Sequence, residues 1–230
     1  GRQNHALLNT YYRWSACPRA VACPSKIGRS FMCSLDPNKV LMTGENHFIR
    51  LSSTNSDTYS TIASFWRIVF CPRGPGHVLF VKSELTGGMW RIFTDNEMMT
   101  RWLQASIQGM LNGELRNDNI LATKAVFSKS GNPLEHWIEH VRSDKEEVSL
   151  MWSRMLDPLL IHTAPGVSPG ERPNGMCSVF VPARDGALSI NGAQAEGRAW
   201  PRERENCVFS TCALAFAESW TASRDAGAIG

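Results

Sequence analysis

The chain of 230 residues carries 24 Lys and Arg against 21 Asp and Glu, a net charge of +3, and is 43% hydrophobic. That is enough for one full-sized folded domain, and it excludes disorder, collagen and coiled coil. No run approaches the ~18 consecutive apolar residues of a membrane-crossing helix, so no membrane partner is expected.

The positive charge is concentrated. Residues 1–35 hold Arg2, Arg13, Arg19, Lys26 and Arg29 with no acidic residue, whereas the remainder is slightly acidic. This basic head resembles a transit leader in composition, and a non-native appended start reads the same way. The division is therefore a basic segment over 1–35 and a single β-rich domain over 36–230. With the excess charge confined to the head, no nucleic-acid partner is expected. Seven cysteines cannot all pair within one chain, and none forms a CxxC knuckle for zinc. They read as reduced, mostly buried thiols of a soluble cytoplasmic protein, with a Cys17–Cys23 disulfide left open.

In chain order, residues 64–70 are rich in aromatic and β-branched side chains and stop at a loop that two prolines and two glycines impose. Strands are expected next at 77–83 and 89–93, turned by Thr86-Gly87-Gly88; such short connections imply antiparallel pairing. One principal helix is expected at about 95–112. Met99, Trp102, Leu103, Ile107, Met110 and Leu111 recur at helical spacing, Thr94 and Glu97 fit a capping box, and Asn112-Gly113 supplies a stop. Further strands are expected at 124–128, 134–142, 148–155, 177–181, 187–190 and 208–220, with Asp185-Gly186 and Asn191-Gly192 as turns. Ala213, Ala215, Ala217 and Ser219 leave a face small enough for the helix to lie on. The expected fold is mainly β (α+β): a curved antiparallel sheet or incomplete β-barrel with that helix packed on it.

Two catalytic motifs match by letter. His136, Glu139 and His140 form an HxxEH sequence, the zinc pattern of one metalloprotease class. It needs a helix, and the flanking Asn132-Pro133 and Ser143-Asp144 favour a strand, in which four residues span about 13 Å. The GxSxG match at 166–170 places Pro169, which has no N–H, where an oxyanion donor is required.

More informative are charged residues on apolar strand faces. Arg67 shares a face with Phe65, Arg91 with Phe93, Glu139 with Trp137 and Val141, Arg154 with Trp152, and Glu218 with Phe216 and Trp220. Buried alone, each would cost several kcal/mol, so each must pair, reach water or line a cavity. The last option gives an aromatic pocket with Glu139 and Glu218 as acid–base groups, and His47 is a further acid–base candidate with no partner visible in the sequence. Arg67, Arg91, Arg154, Trp137 and Trp220 would then be its binding residues. Arginines there suit a carboxylate, phenolate or enolate.

The leading functional expectation is a protein that binds a small, partly apolar, anionic molecule. It includes cofactor-independent proton transfer of the lyase or isomerase kind, with homo-oligomerisation left open. One alternative is a zinc-dependent hydrolase using His136, Glu139 and His140. Another is a non-catalytic binding or interaction module.

Overall fold

A computed structural model of the chain describes residues 40–163, 174–204 and 207–222. The basic head, its three cysteines and the GxSxG match lie outside these residues. The strands are β1 (Val40–Leu51), β2 (Thr61–Phe70), β3 (Gly76–Lys82), β4 (Arg91–Thr94), β5 (Ala122–Lys124), β6 (Val126–Asn132), β7 (His136–Arg142), β8 (Glu147–Met155), β9 (Leu159–Thr163), β10 (Gly175–Ile190), β11 (Ala193–Gln194), β12 (Pro201–Arg204), β13 (Cys207–Ser210) and β14 (Cys212–Thr221). They order as β5-β4-β3-β2-β1-β14-β10-β8-β7-β6, with β9 and β11 added to β10 and a separate β12–β13 hairpin. The path is nearly closed, because its two end strands are consecutive in sequence. β5 pairs with β4, β6 pairs with β7, and only Ala125 separates them. The result is the incomplete barrel expected, with one departure: β5 runs parallel to β4.

Period-two alternation divides the side chains between two cores. Ile49, Leu51, Phe65, Leu79, Phe93, Val141, Leu150, Trp152, Leu188 and Leu214 fill the barrel. Met42, Phe48, Trp66, Ile68, Val78, Phe80, Ile92, Phe180 and Trp220 face outward beneath the helix, which adds Met99, Leu103, Ile107 and Leu111. Each large apolar side chain so enclosed contributes about 1.5–3 kcal/mol. Ala213 and Ala215 belong to this second core; Ala217 is exposed.

The helical segment runs as α1 (Glu97–Leu103), a π turn (Gln104–Gln108) and α2 (Gly109–Leu111). Its N-cap is Asn96, whose Oδ1 accepts from the Met99 N–H at 3.1 Å, not Thr94. Thr94 is still strand, so the helix starts two residues later than the capping-box spacing suggests. Asp185-Gly186 does not turn the chain: β10 runs straight through it. β1, whose polar run Thr43–His47 hid its periodicity, is a strand that sequence reading missed. No helix among the described residues is long and apolar enough to cross a membrane.

Candidate functional site

One end of the barrel interior is polar. Glu45 and His47 share the inward face of β1, and register places Arg67 of β2 opposite His77 of β3 one layer above Phe65 and Leu79. From the far wall β7 contributes Trp137 and Glu139. These side chains make one connected set. The Arg67 Nη1 donates to Glu45 Oε2, and its Nη2 donates to both oxygens of Glu139 at 2.9 Å. The indole Nε1 of Trp137 donates to Glu139 Oε1 at 2.8 Å. Glu139 and His47 are fully buried, whereas Glu45 and Arg67 keep 21% and 17% of their side-chain surface. The rim beside Glu45 and Arg67 is therefore where solvent reaches the cluster.

His47 is enclosed by the rings of Phe65, Trp137, Trp152 and Phe216, the last at 5.0 Å. Its Nδ1 accepts the backbone N–H of Ala215 at 3.2 Å. An accepting Nδ1 places the proton of the neutral ring on Nε2. Nε2 has no hydrogen-bond partner and lies 3.4 Å from Glu45 Oε2 and 3.9 Å from Glu139 Oε1. Burial pushes the His47 pKa below its ordinary value, opposed by the two carboxylates. Burial by itself would raise Glu45. His47, Arg67 and Lys129 outweigh it and hold that carboxyl at about 2.

Glu45, His47 and Glu139 bring their ligand-type atoms within 4.8 Å of one another, a spacing that suits a metal ion. The donor set does not fit one. Arg67 already occupies oxygens of both carboxylates, and a metal on Nε2 requires Nδ1 to carry and donate the proton, whereas Nδ1 here is an acceptor.

Of the residues predicted from sequence, His47, Arg67, Glu139 and Trp137 meet in this cluster. Four others lie elsewhere. Glu218 and Trp220 sit on the opposite side of the sheet, where Glu218 Oε1 accepts from Trp220 Nε1 at 2.7 Å and from Asn46 Nδ2 at 3.3 Å. The cause is an irregularity at Ala217, with φ of 48°, which breaks the alternation after Phe216. Ser64 and Gln108 of the π turn extend that second network to Trp66. Arg91 pairs with Glu146 in the turn before β8. Arg154 has left-handed backbone, φ 53°, and turns out to pair with Asp185.

The zinc-hydrolase reading is corrected. His136, Glu139 and His140 lie on a strand, with the histidines on the outer face and Glu139 on the inner, so the two imidazoles cannot share an ion. Sequence reading also missed Glu45, Lys129 and the pair His77–Asp95. Glu45 carried a signal, since it lies two residues before His47 and shares its face once β1 is recognised as a strand. No protein-family model, curated protein or solved structure matches the chain.

Proposed function

We propose that the polar end of the barrel binds a small, partly apolar, anionic molecule and moves a proton on it without a cofactor, as a lyase or isomerase does. The observation that carries this reading is the His47 Nε2–H, buried, without a hydrogen-bond partner and facing two carboxylates joined by one arginine. A neutral imidazole so placed can donate to an oxygen on which negative charge develops, as in an enolate. Arg67 is the anion-binding point. Its partner Glu45, partly exposed, is the carboxylate a ligand replaces, while buried Glu139 stays as the fixed counter-ion. Lys129, with Nζ 4.7 Å from the Trp137 ring centre, adds positive charge, and Phe127 and Phe216 supply apolar walls.

In this mechanism the ligand carboxylate takes Glu45's place on Arg67. Glu45, freed from the arginine, regains basicity and removes a proton from the carbon beside the ligand carbonyl. The C–H bond breaks, an O–H bond forms on Glu45, and the electron pair moves to the carbonyl oxygen, which accepts a hydrogen bond from the His47 Nε2–H. Return of the proton to another atom completes an isomerisation; loss of a leaving group completes an elimination.

Phenylpyruvate tests the reading because it is anionic, partly apolar and enolisable. In deuterated buffer the protein should accelerate exchange at its benzylic carbon, and His47→Phe should lower that rate about 100-fold. Glu45→Gln should bind benzoate more tightly than wild type yet lose the exchange. Benzylamine bound in preference to benzoate would overturn the anion site, and benzoate binding without exchange would overturn the chemistry in favour of a non-catalytic binding protein.

A further inference from the structure

Arg67 has one more anchor, on the side away from the carboxylates. Its Nε donates to His77 Nε2 at 3.2 Å. An accepting Nε2 places the His77 proton on Nδ1, and Nδ1 lies 2.6 Å from Asp95 Oδ2. The other Asp95 oxygen accepts the His77 backbone N–H, also at 2.6 Å. Asp95 therefore fixes His77 from two sides, and the His77 ring is further stacked on Phe127 at 5.1 Å. With Glu45 and Glu139 on its two terminal nitrogens, the guanidinium is held along three edges.

We propose that Asp95 and His77 form a positioning dyad that orients Arg67 across Glu45 and Glu139, and thereby sets how strongly those carboxylates act on His47. The connected path is Asp95, His77, Arg67, the carboxylate pair and His47. Its outer end borders an open surface groove lined by Pro75, Gly76, Asn96 and Met98. Neither dyad residue touches the reacting atoms of the scheme above; the inference rests on that scheme only for the importance it gives Arg67. The fork needs this third anchor because two carboxylates alone leave the guanidinium free to pivot about the line joining them. An imidazole held by Asp95 through Nδ1 presents its Nε2 lone pair to Arg67 in a fixed direction.

The test uses the full-length protein without ligand and follows the imidazole resonances of His47 against pH. The groups facing His47 are Glu45 on β1, Arg67 on β2 and Glu139 on β7, with Lys129 on β6 acting on Glu45; those facing His77 are Asp95 and Arg67. His77→Phe keeps the ring packing and removes the acceptor. Arg67 then swings off the carboxylates, which turn to His47, and the His47 titration should move upward by about one unit. His77→Gln, which restores an acceptor, should return it toward wild type. If His77→Phe does not fold, Asp95→Ala, which removes the tautomer constraint, should give the same upward move. An unchanged His47 titration in a folded variant, or a glutamine no better than phenylalanine, overturns the dyad. Because no ligand is present, failure here leaves the phenylpyruvate result untouched, and the reverse also holds.

Discussion

At the scale of single residues, His47 stands out because everything around it favours its neutral form except two carboxylates that Arg67 already occupies. That balance has a measurable consequence. A histidine whose folded pKa is depressed stabilises the fold fully above its unfolded value, near 6.5, and that stability is lost as pH falls below it. Glu45, held at about 2 against an ordinary 4.5, acts in the same direction over a lower window, losing its contribution as pH falls from 4.5 toward 2. Thermal unfolding should therefore show a decline beginning near pH 6.5, and His47→Phe should lack that upper part and narrow the lower one, because His47 is among the groups that hold Glu45 down. Arg67 and Glu139 were legible in sequence because a charge between apolar residues on one strand face must find a partner, and Trp137 came with the face of Glu139; His47 was named only as a lone acid–base candidate, with no strand read around it. That Glu45 would be such a partner was not, since pairing across β1 and β2 depends on a register that only the folded sheet sets.

At the scale of elements, β1 governs the site. Its inward residues feed the polar cluster, and its outward Asn46 joins the Glu218 network on the other face. Gly44 makes this possible: a Cβ there would sit 2.2 Å from the carbonyl oxygen of Arg67, so β1 and β2 approach too closely for any side chain at that point. The strand escaped sequence reading because Thr43-Gly44-Glu45-Asn46-His47 presents no apolar alternation; its periodicity is carried by polar groups that are buried in pairs. Asp185-Gly186 misled in the opposite sense. It has the letters of a turn, but Gly186 is used for closeness, since a Cβ there would meet Cys212 at 3.0 Å. The helix was legible in extent from its apolar stripe, while its start was not, because Thr94 is held by β4. Replacing the true cap, Asn96→Ala, should lower stability by about 1 kcal/mol in chemical denaturation, and Thr94 should not substitute for it.

At the scale of the whole molecule, the sheet has two buried faces with different tasks. The outward face packs on a helix and carries the Glu218–Trp220 network; the inward face is apolar at one end and charged at the other. The architecture followed from hydrophobic alternation, which is local information. The grouping of site residues did not, because the irregularity at Ala217 moves Glu218 across the sheet and the left-handed Arg154 leaves the interior. Both departures remove a charge from a pocket that strict period-two reading had filled with five. What remains inside is a tighter constellation than the sequence suggested, with its solvent access at Glu45 and Arg67. The most direct measurement is to follow the indole N–H resonances of Trp137 and Trp220 while phenylpyruvate is added. Trp137, bonded to Glu139, should shift with saturation while Trp220, bonded to Glu218 on the opposite face, stays in place. A shift at Trp220 alone, or none at Trp137, would contradict the placement of the ligand site at the polar end of the barrel.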